Sequence, residues 1–545
     1  MCGIIGSTIY KINRNTLNEL AHRGPDERGL YEDTKISMGH TRLSIIGPST
    51  GQQPVVSQDE HAVMVFNGEI YNYLELKNKL NNVNKSTESD TEVLLQYYIT
   101  FGIEKTLQDI NGMFAFVIFD KKQNKLFAAR DRLGIKPLFY SLSGGFTFCS
   151  EINSIKNILG INNLSIDPMA VSMFFNTFYI ASPLTIWNEI RSMDPGCYGE
   201  YCFDRSEFNI KKYWDLQKGN RTNKDIEEFE TLLKDSIRLR IRSDVPYGAY
   251  LSGGIDSSLI VKNISTFDTN CKTFTAEIKD SKLNEKIYAE RVSQKYNTNH
   301  TNIEIKYEEI KINFLRKLVR IFGQPFADSS IVPTFAISER ISQHVAVALG
   351  GDGSDEVFCG YDKYDRLKKS IPEVFFRNQN LDFISDEFRR STYDYMISKL
   401  PYETDNLIET LRLMDIRFFL EGDILQKIDR LSMANSLEVR VPFLDHRIIE
   451  YSNNIEYNLL FNKIRKYIPK KILSCDFDDS FINRSKIGFM LNVEQWIHKF
   501  DDIIFNSKVL QSDIFSVKLI PKDINNAYLK FAILMFILWY EENYE

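Results

Sequence analysis

The pattern of apolar residues changes near residue 215, and this change constrains the fold more than any other feature of the sequence. Before that point, short apolar runs such as residues 61–66, 113–119, 125–129 and 146–149 are separated by Gly, Asn and Asp. Few stretches of helical spacing intervene, and residues 90–98 form one of them. This pattern predicts an α+β fold of sheets stacked on each other, with limited helix.

After residue 215 the pattern is that of alternating helices and strands. Residues 227–241 have helical spacing, residues 247–251 form a short apolar run, and two further runs at 273–278 and 344–349 alternate with helical stretches. Alternation of this kind predicts an α/β domain with a parallel sheet, covered by helices on both faces. From about residue 386 the chain is mostly helical in pattern.

The length of 545 residues fits more than one domain. Polar and charged residues cluster between about Pro195 and Asn223, so the domain boundary is expected there. The sequence therefore predicts an α/β multidomain chain, with an α+β domain over residues 2–210 and an α/β domain with a helical C-terminal part over residues 211–545.

Composition excludes several classes of protein. The 67 Lys and Arg residues against 73 Asp and Glu residues give no broad basic surface for nucleic acid. The seven cysteines are odd in number and include no C-x-x-C pair, which argues against a disulfide framework or a structural zinc site. The longest apolar run, residues 531–540, is about half the length that spans a bilayer. We therefore expect a cytoplasmic protein without a membrane or nucleic-acid partner, and we expect this run to form a buried helix.

Cys2 follows the initiator Met, and this position has chemical consequences. If Met1 is removed, one residue carries both a thiol nucleophile and a free α-amine. An α-amine has a pKa near 8 and serves as the local base in N-terminal-nucleophile enzymes. The sequence around Cys2 decides between this chemistry and an incidental cysteine.

Four further segments accompany Cys2-Gly3-Ile4: His22-Arg-Gly-Pro-Asp26, His40-Thr-Arg-Leu-Ser44, Asn67-Gly-Glu-Ile-Tyr-Asn72 and Ser89-Asp-Thr-Glu92. Together they resemble the N-terminal-nucleophile glutaminase domain of glutamine-dependent asparagine synthetases and their amidotransferase relatives. The occurrence of all five segments in this order is highly specific. The segments described below extend the resemblance over nearly the whole chain.

The resemblance implies a role for each of these residues, and the residue types suit the roles. Arg42 is the planar cation for the α-carboxylate of glutamine, and Glu69 and Asp90 are the carboxylates for its α-ammonium. Cys2 is the nucleophile of the thioester. The Asn67 amide and the Gly68 backbone N–H then form the oxyanion hole for the tetrahedral intermediate.

A second motif, Leu251-Ser-Gly-Gly-Ile-Asp-Ser-Ser258, lies where a predicted strand ends and a helix begins. Gly253 and Gly254 let the backbone approach an anion closely, and the N–H groups at the helix start can bind it. The motif is not a Walker A loop because G-K-[ST] is absent. It resembles the pyrophosphate loop of ATP pyrophosphatases, which form an adenylate and release pyrophosphate.

The same resemblance implies ATP and Mg²⁺ as cofactors. Asp256 and Asp355, the latter within Gly350-Gly-Asp-Gly-Ser-Asp-Glu356, are the implied metal ligands. Asp352 occupies the position of an acid near the activated acyl group, where many asparagine synthetases have Glu, so this chain departs from the family by one methylene. The implied ATP site consists of Leu251, Ser252, Gly253, Gly254, Asp256, Ser257, Ala276, Gly350 and Gly351.

Later segments agree with the same family: residues 325–330, 427–430, 436–445 and 484–489. Lys486 is the implied cation for the transition-state charge of adenylation and amide formation. Asp328, Ser329, Ser330 and Arg440 are candidates for the acceptor pocket or its scaffold, whereas residues 437–444 fit packing. No two histidines have zinc-ligand spacing, so His22, His40 and His446 are expected to be structural hydrogen-bonding residues.

The resemblance implies a function in two steps, with glutamine, aspartate and ATP as small-molecule partners. The first domain hydrolyses glutamine, and the ammonia attacks an acyl-adenylate in the second domain. Aspartate is the expected acceptor, while sugar acids or peptide precursors remain alternatives. Intact Cys2, Arg42, Asn67, Glu69 and Asp90 argue against a β-lactam-forming relative, and the intact loop 252–258 argues against a regulatory glutamine-binding protein. A homodimer remains an alternative to a monomer.

Overall fold

The computed structural model describes residues 2–80, 88–222, 226–278, 285–305, 310–366, 370–376, 386–461, 464–484, 492–511 and 526–544. Lys486 lies outside these described residues. The strands are β1 (Cys2–Ser7), β2 (Glu27–Glu32), β3 (Ser37–Arg42), β4 (Val55–Val56), β5 (Ala62–Ile70), β6 (Gly112–Asp120), β7 (Lys125–Arg130), β8 (Phe139–Ser141), β9 (Thr147–Cys149), β10 (Arg191–Ser192), β11 (Cys197–Cys202), β12 (Glu207–Lys212), β13 (Tyr247–Tyr250), β14 (Lys272–Ile278), β15 (Asn299–Ile305), β16 (Val347–Leu349) and β17 (Glu438–Arg440).

The α-helices are α1 (Arg14–Asn18), α2 (Tyr73–Lys77), α3 (Asp90–Asp109), α4 (Ile152–Leu159), α5 (Pro168–Thr177), α6 (Ile226–Arg240), α7 (Ile255–Ile264), α8 (Lys286–Tyr296), α9 (Ile312–Phe322), α10 (Ile331–Ile341), α11 (Ser354–Val357), α12 (Ile371–Phe375), α13 (Asp386–Ser398), α14 (Leu407–Met414), α15 (Gln426–Met433), α16 (His446–Asn454), α17 (Tyr457–Leu460), α18 (Tyr467–Leu473), α19 (Asp479–Ile482), α20 (Asp501–Asn506) and α21 (Ala527–Tyr544). Short 3₁₀ segments are Ile161–Asn163, Asp362–Arg366, Pro442–Leu444, Val493–Gln495, Ile497–Phe500 and Lys508–Gln511, and a π-helical run, Asp415–Leu425, joins α14 to α15.

The N-terminal half consists of two stacked antiparallel sheets. One has the strand order β10-β8-β9-β1-β3-β2 and the other β12-β11-β7-β6-β5-β4. Apolar side chains from both sheets form the core between them, among them Ile4, Met38 and Phe148 from the first sheet and Val63 and Val117 from the second. The predicted stacked-sheet fold with limited helix is confirmed, and its sheets end at Lys212.

The C-terminal half contains a parallel sheet with the order β15-β14-β13-β16-β17. Its strands pair in parallel throughout, as the alternation of helix and strand predicts. The run predicted as a strand at 344–349 forms β16 only from Val347. The reason is that the turn after α10 extends to His344, whose N–H donates to the Ile341 carbonyl.

The apolar run near the C-terminus forms the buried helix that the sequence predicts. Residues of α21 from Phe531 to Trp539 are almost entirely inaccessible to solvent. The indole rings of Trp187 and Trp539 lie 5.3 Å apart, so this helix contacts the N-terminal half as well. In the part of the chain that the structure describes, no helix is long and apolar enough to cross a bilayer.

Buried ion pairs join the two halves. Asp429 on α15 contacts Arg23 at 2.9 Å and Lys136 at 3.0 Å, and Arg130 contacts Glu421 of the π-helical run at 3.0 Å. All five side chains are nearly or fully buried. Buried charges without such partners are costly, so these pairs fix how the halves meet.

Candidate active sites

Cys2 begins β1 at the point where the two N-terminal sheets meet. It pairs with Arg42 across β1 and β3, and its side chain is buried. Arg23 Nε donates to the Cys2 carbonyl at 3.0 Å, and the Cys2 backbone nitrogen donates to Asn67 Oδ1 of the second sheet at 3.1 Å. Burial raises the pKa of the Cys2 thiol, so the thiol is protonated before a base acts on it.

Asn67 and Gly68 lie on β5 opposite Cys2. Among the described residues, Asn67 Nδ2 is fully buried and has no hydrogen-bond partner. A Cβ at Gly68 would lie 2.1 Å from the Met113 carbonyl oxygen, so only glycine fits this position. A buried amide donor without a partner is costly, which favours a ligand oxygen at this place.

Glu69 and Asp90 bring two carboxylates to a narrow pocket that Cys2 also lines, called the pocket of Cys2 below. Asp90 begins α3 and accepts a hydrogen bond from the Ile70 N–H at 3.0 Å. Burial raises the pKa of Asp90 to about 6. Burial and the nearby Asp90 raise the pKa of Glu69, and the Arg440 charge opposes that rise. Within the described part of the chain, Glu69 Oε1 is buried without a hydrogen-bond partner.

Arg42 lines the pocket, but its guanidinium is already engaged. Nη2 donates to the carbonyls of Ile46 and Gly47 at 3.2 and 2.8 Å, and Nη1 donates to Pro48 O and Glu27 Oε2 at 3.0 and 3.1 Å. These contacts use the four terminal N–H groups of the guanidinium. The bidentate fork expected for a ligand carboxylate is therefore not preformed, and forming it requires release of contacts such as the one to the half-exposed Glu27.

The predicted nucleotide residues surround a separate cavity of about 630 Å³ at the carboxyl ends of β13, β14 and β16. Parallel sheets bind ligands at this edge. The predicted residues that line it are Leu251, Ser252, Gly254, Asp256, Ser257, Ala276, Gly351, Asp352 and Asp355.

Gly253 and Gly350 support this cavity from behind rather than lining it. Gly253 has φ +71°, and a Cβ there would lie 2.5 Å from the Ala289 nitrogen. Its carbonyl accepts a hydrogen bond from Arg484 Nη2 at 2.8 Å. The Gly350 N–H donates to the Arg440 carbonyl at 2.8 Å. Both glycines therefore set the backbone conformation beside the cavity.

Asp256 and Asp355 converge on the ammonium group of Lys466. Lys466 Nζ lies 2.7 Å from Asp355 and also hydrogen-bonds Asp256, while Ser354 Oγ donates to Asp256 at 2.6 Å. Burial opposes the Lys466 charge, but the two carboxylates raise its pKa. Mg²⁺ takes one or two carboxylates together with phosphate oxygens, so this pair of carboxylates has the donor chemistry that the ion prefers.

A second group of charges is centred on Lys427, which lines the same cavity together with Asp328. Lys427 on α15 is 3.2 Å from Asp423 and 3.6 Å from Asp328. Asp328 also accepts hydrogen bonds from Ser330, which likewise lines the cavity. These contacts place Lys427 between carboxylates on two different segments of the chain.

Two further acids in the cavity have perturbed pKa values. Burial raises the pKa of Asp352 to about 6, with Lys427 acting against that rise. Burial and the Asp355 charge raise the pKa of Glu356 to about 7, and Tyr361 donates a hydrogen bond to Glu356. Perturbed acids in a cavity are typical of functional sites.

The structure also revises the interpretation of Arg440. Arg440 was a candidate for the acceptor pocket or its scaffold, but its guanidinium contacts Glu69 in the N-terminal half, and it does not line the nucleotide cavity. Residues 437–444 were expected to serve packing, yet Glu438 lines the pocket of Cys2. Lys466 was missed altogether, because no motif marks it in the basic segment that precedes α18.

Two of the three histidines, His22 and His40, make the hydrogen bonds expected of structural residues. Burial lowers the pKa of His40 to about 3 and that of His446 to about 4, so both are neutral. His40 Nε2 hydrogen-bonds with the Phe66 carbonyl at 3.2 Å, and His22 contacts Glu151 at 2.9 Å. None of them lines the pocket of Cys2 or the nucleotide cavity.

Known proteins are similar to this chain over nearly its whole length. A glutamine amidotransferase domain matches residues 1–214, and the asparagine synthase family matches residues 228–518. Glutamine-hydrolyzing asparagine synthetase 1 of Bacillus subtilis is 30% identical, over 91% of this chain and 88% of the relative. Putative glutamine-hydrolyzing asparagine synthetase 2 of Methanocaldococcus jannaschii is 33% identical, over 81% of this chain and all of the relative.

Proposed function

The chain belongs to the asparagine synthase family, and from that premise we propose that it is a glutamine-dependent asparagine synthetase. It makes asparagine from aspartate, ATP and glutamine, and it releases AMP, pyrophosphate and glutamate. The two separate sites, one in each half of the chain, support this division of the reaction.

In the first half, Cys2 attacks the carboxamide carbon of glutamine once Met1 has been removed. The Cys2 nitrogen, now an α-amine beside Asn67 Oδ1, accepts the thiol proton and passes it to the departing ammonia. Asn67 Nδ2 and the Gly68 N–H stabilise the oxyanion, because both are fixed before the reaction. Water then hydrolyses the thioester to glutamate, and Arg42, Glu69 and Asp90 hold the amino-acid end of the substrate.

In the second half, the aspartate side chain displaces pyrophosphate from ATP to give β-aspartyl-AMP. The N-terminus of α7 and Lys466 would bind the phosphates, and Asp256 and Asp355 would hold Mg²⁺. When bound, Mg²⁺ neutralises charge on the phosphates. Lys486 balances the transition-state charge, and Asp352 lies near the acyl group.

Ammonia attacks the acyl carbon and AMP leaves. Because ammonia in bulk water is largely protonated, we propose that it travels inside the protein between the two sites. Lys427 pairs with Asp328 and Asp423, and Glu356 lines the same cavity as Lys427. These mixed charges suit a zwitterionic amino acid such as aspartate.

The single observation that carries this proposal is the pair of unused polar atoms beside Cys2. Within the described part of the chain, a buried donor at Asn67 Nδ2 and a buried acceptor at Glu69 Oε1 lack partners. The scissile amide of glutamine supplies an oxygen for the first, and the α-ammonium supplies hydrogens for the second. In a chain that had lost glutaminase activity, these two buried atoms would cost stability with no ligand to satisfy them.

The acceptor is tested by acceptor-dependent pyrophosphate release. Purified protein with ATP, Mg²⁺ and glutamine is given aspartate, and then a panel of sugar acids and peptide carboxylates. We expect pyrophosphate and asparagine to form in equal amounts with aspartate. Glutamine hydrolysis without aspartate-dependent pyrophosphate release, combined with release on another carboxylate, would replace asparagine synthesis by amidation of that acid.

The Asp90 carboxylate predicts a pH dependence for glutamine binding. Its raised pKa of about 6 means that the carboxylate predominates above that pH and is protonated below it. We therefore expect the KM for glutamine to rise as the pH falls from about 8 to about 5.5, because the charge that attracts the α-ammonium is lost. Initial rates of glutamate release give the profile. In Asp90→Asn the KM should be higher and depend less on pH, and a flat wild-type profile would contradict the role of Asp90.

A homodimer and a cytoplasmic location stay predictions. Sedimentation of the purified chain decides the first, and fractionation of the source cells decides the second.

A further inference from the structure

Strand β17 (Glu438–Arg440) belongs to the synthetase half but reaches both sites. It is the edge strand next to β16. Successive side chains of a strand point to opposite faces, and here Val439 lines the nucleotide cavity whereas Glu438 lines the pocket of Cys2. The glutaminase pocket is therefore closed by a strand from the other half of the chain.

Arg440 is held rigidly at this junction. Nη1 donates to the carbonyls of Arg240 and Arg242, at 2.7 and 2.5 Å. Nε donates to Glu438 Oε1 at 2.6 Å, and Nη2 donates to Glu69 Oε2 at 3.2 Å. Four of the five guanidinium N–H groups are thus used, and the side chain is fully buried. Its orientation is set by its own half, and the remaining contact acts on Glu69.

This contact determines which Glu69 oxygen faces a ligand. With Oε2 bound to Arg440, Oε1 is the oxygen left for an ammonium group. The charged and titratable groups around Glu69 come from several elements: Cys2 on β1, Arg42 on β3, Tyr71 before α2, Tyr73 on α2, Asp90 on α3, and Glu438 and Arg440 on β17. Among these, Arg440 is the cation in direct contact with the Glu69 carboxylate.

We propose that Arg440 is a positioning residue for glutamine binding: it fixes Glu69 for the α-ammonium of glutamine, and Glu438 orients Arg440. The proposal rests on the proposed glutaminase function of the first half. Glutamine binding then depends on the synthetase half even when no acceptor or ATP is bound. The charge balance supports this role, since burial and Asp90 raise the pKa of Glu69 while Arg440 acts against them.

The test measures glutamate release without acceptor, over a range of pH, in Arg440→Gln, Arg440→Lys and Glu438→Gln. For Arg440→Gln we expect the KM for glutamine to rise about 30-fold, as expected for loss of a charged hydrogen bond, with a much smaller change in kcat. The pH below which the KM for glutamine rises should be higher than in the wild type, because loss of the Arg440 charge raises the pKa of Glu69. Arg440→Lys should restore part of the loss because it restores the charge.

Glu438→Gln provides an independent readout with the opposite sign. It removes a negative charge near Glu69 and keeps the side-chain shape, so the pH below which the KM worsens should move downward. A purely structural role for β17 would not shift the two profiles in opposite directions. If Arg440→Gln does not fold, the KM and pH profiles of Glu438→Gln and Arg440→Lys still test the proposal.

Arg130→Gln is the matched control. Arg130 is equally buried and also joins the two halves, through Glu421, but it does not line the pocket of Cys2. Its loss should lower thermal stability without raising the KM for glutamine. Ammonia-dependent pyrophosphate release by the Arg440 variants should stay within about twofold of wild type.

Two results would overturn the proposal. One is an unchanged KM for glutamine in Arg440→Gln, and the other is a parallel loss of ammonia-dependent activity, which would assign Arg440 to the synthetase cavity. Both differ from failure of the proposed function, in which the wild-type chain itself would not hydrolyse glutamine.

Discussion

Replacement of Cys2 by Ala is expected to remove glutamine-dependent asparagine formation, by about 10³-fold or more, while ammonia-dependent formation stays within about twofold of wild type. The reason is that in the proposed mechanism the Cys2 thiol forms the covalent intermediate, whereas added ammonia bypasses the first half. Asparagine formation is measured with glutamine and with ammonium chloride at a pH near 8, where enough free ammonia is present.

Cys475→Ala is the control for this experiment, because Cys475 is an exposed free cysteine that lines neither site. It should keep both activities. Mass spectrometry of the wild-type protein should give the mass of the chain without Met1, since the proposed base is the Cys2 α-amine. Glutamine-dependent activity in Cys2→Ala would show that the nucleophile lies elsewhere, and a retained Met1 in fully active protein would exclude the α-amine as the base.

The pocket of Cys2 could be predicted from the sequence because several of its residues lie at the start or end of regular elements. Cys2 begins β1, Arg42 ends β3, and Asp90 begins α3. Motifs around such positions stay together in the sequence even though the elements are distant from one another. The spacing of apolar residues likewise predicted the stacked sheets and the parallel sheet, since burial of one or both faces of an element produces a regular pattern of apolar residues in the sequence.

The sequence could not show contacts between residues that are far apart in the chain. Glu69 and Arg440 are 371 positions apart, and nothing in either segment indicates that they meet. The engagement of Arg42 by the carbonyls of Ile46, Gly47 and Pro48 was equally hidden, because backbone acceptors carry no residue signature. Sequence patterns therefore identified candidate residues, whereas the partners that tune them needed the fold.

Lys466 shows the same limit in the second half. A lysine in a basic segment is usually a solvent-exposed charge, yet this one is buried between Asp256 and Asp355. Its positive charge offsets the repulsion between these two neighbouring carboxylates. It also makes the Asp256 site the place where a single isosteric change has the largest expected effect on the second half.

Asp256→Asn is expected to lower pyrophosphate release by about 10²-fold or more with either glutamine or ammonia as nitrogen donor. The substitution keeps the shape of the side chain and removes one of the two charges that would hold Mg²⁺ beside the phosphates. It also leaves Lys466 with one carboxylate partner in place of two. Glutamate release without acceptor should be unchanged, because the pocket of Cys2 lies in the other half.

The metal role and a purely structural role of Asp256 predict different dependences on Mg²⁺. If Asp256 binds the ion, the Mg²⁺ concentration that gives half-maximal pyrophosphate release should rise in Asp256→Asn, and excess Mg²⁺ should restore part of the rate. If Asp256 only holds Lys466, the rate should fall at every Mg²⁺ concentration with the same half-maximal value. Asp502→Asn, an exposed change on α20, should alter neither quantity. Unchanged pyrophosphate release in Asp256→Asn would remove Asp256 from both roles, and would leave Asp355 and Lys466 as the charged pair on which phosphate binding depends.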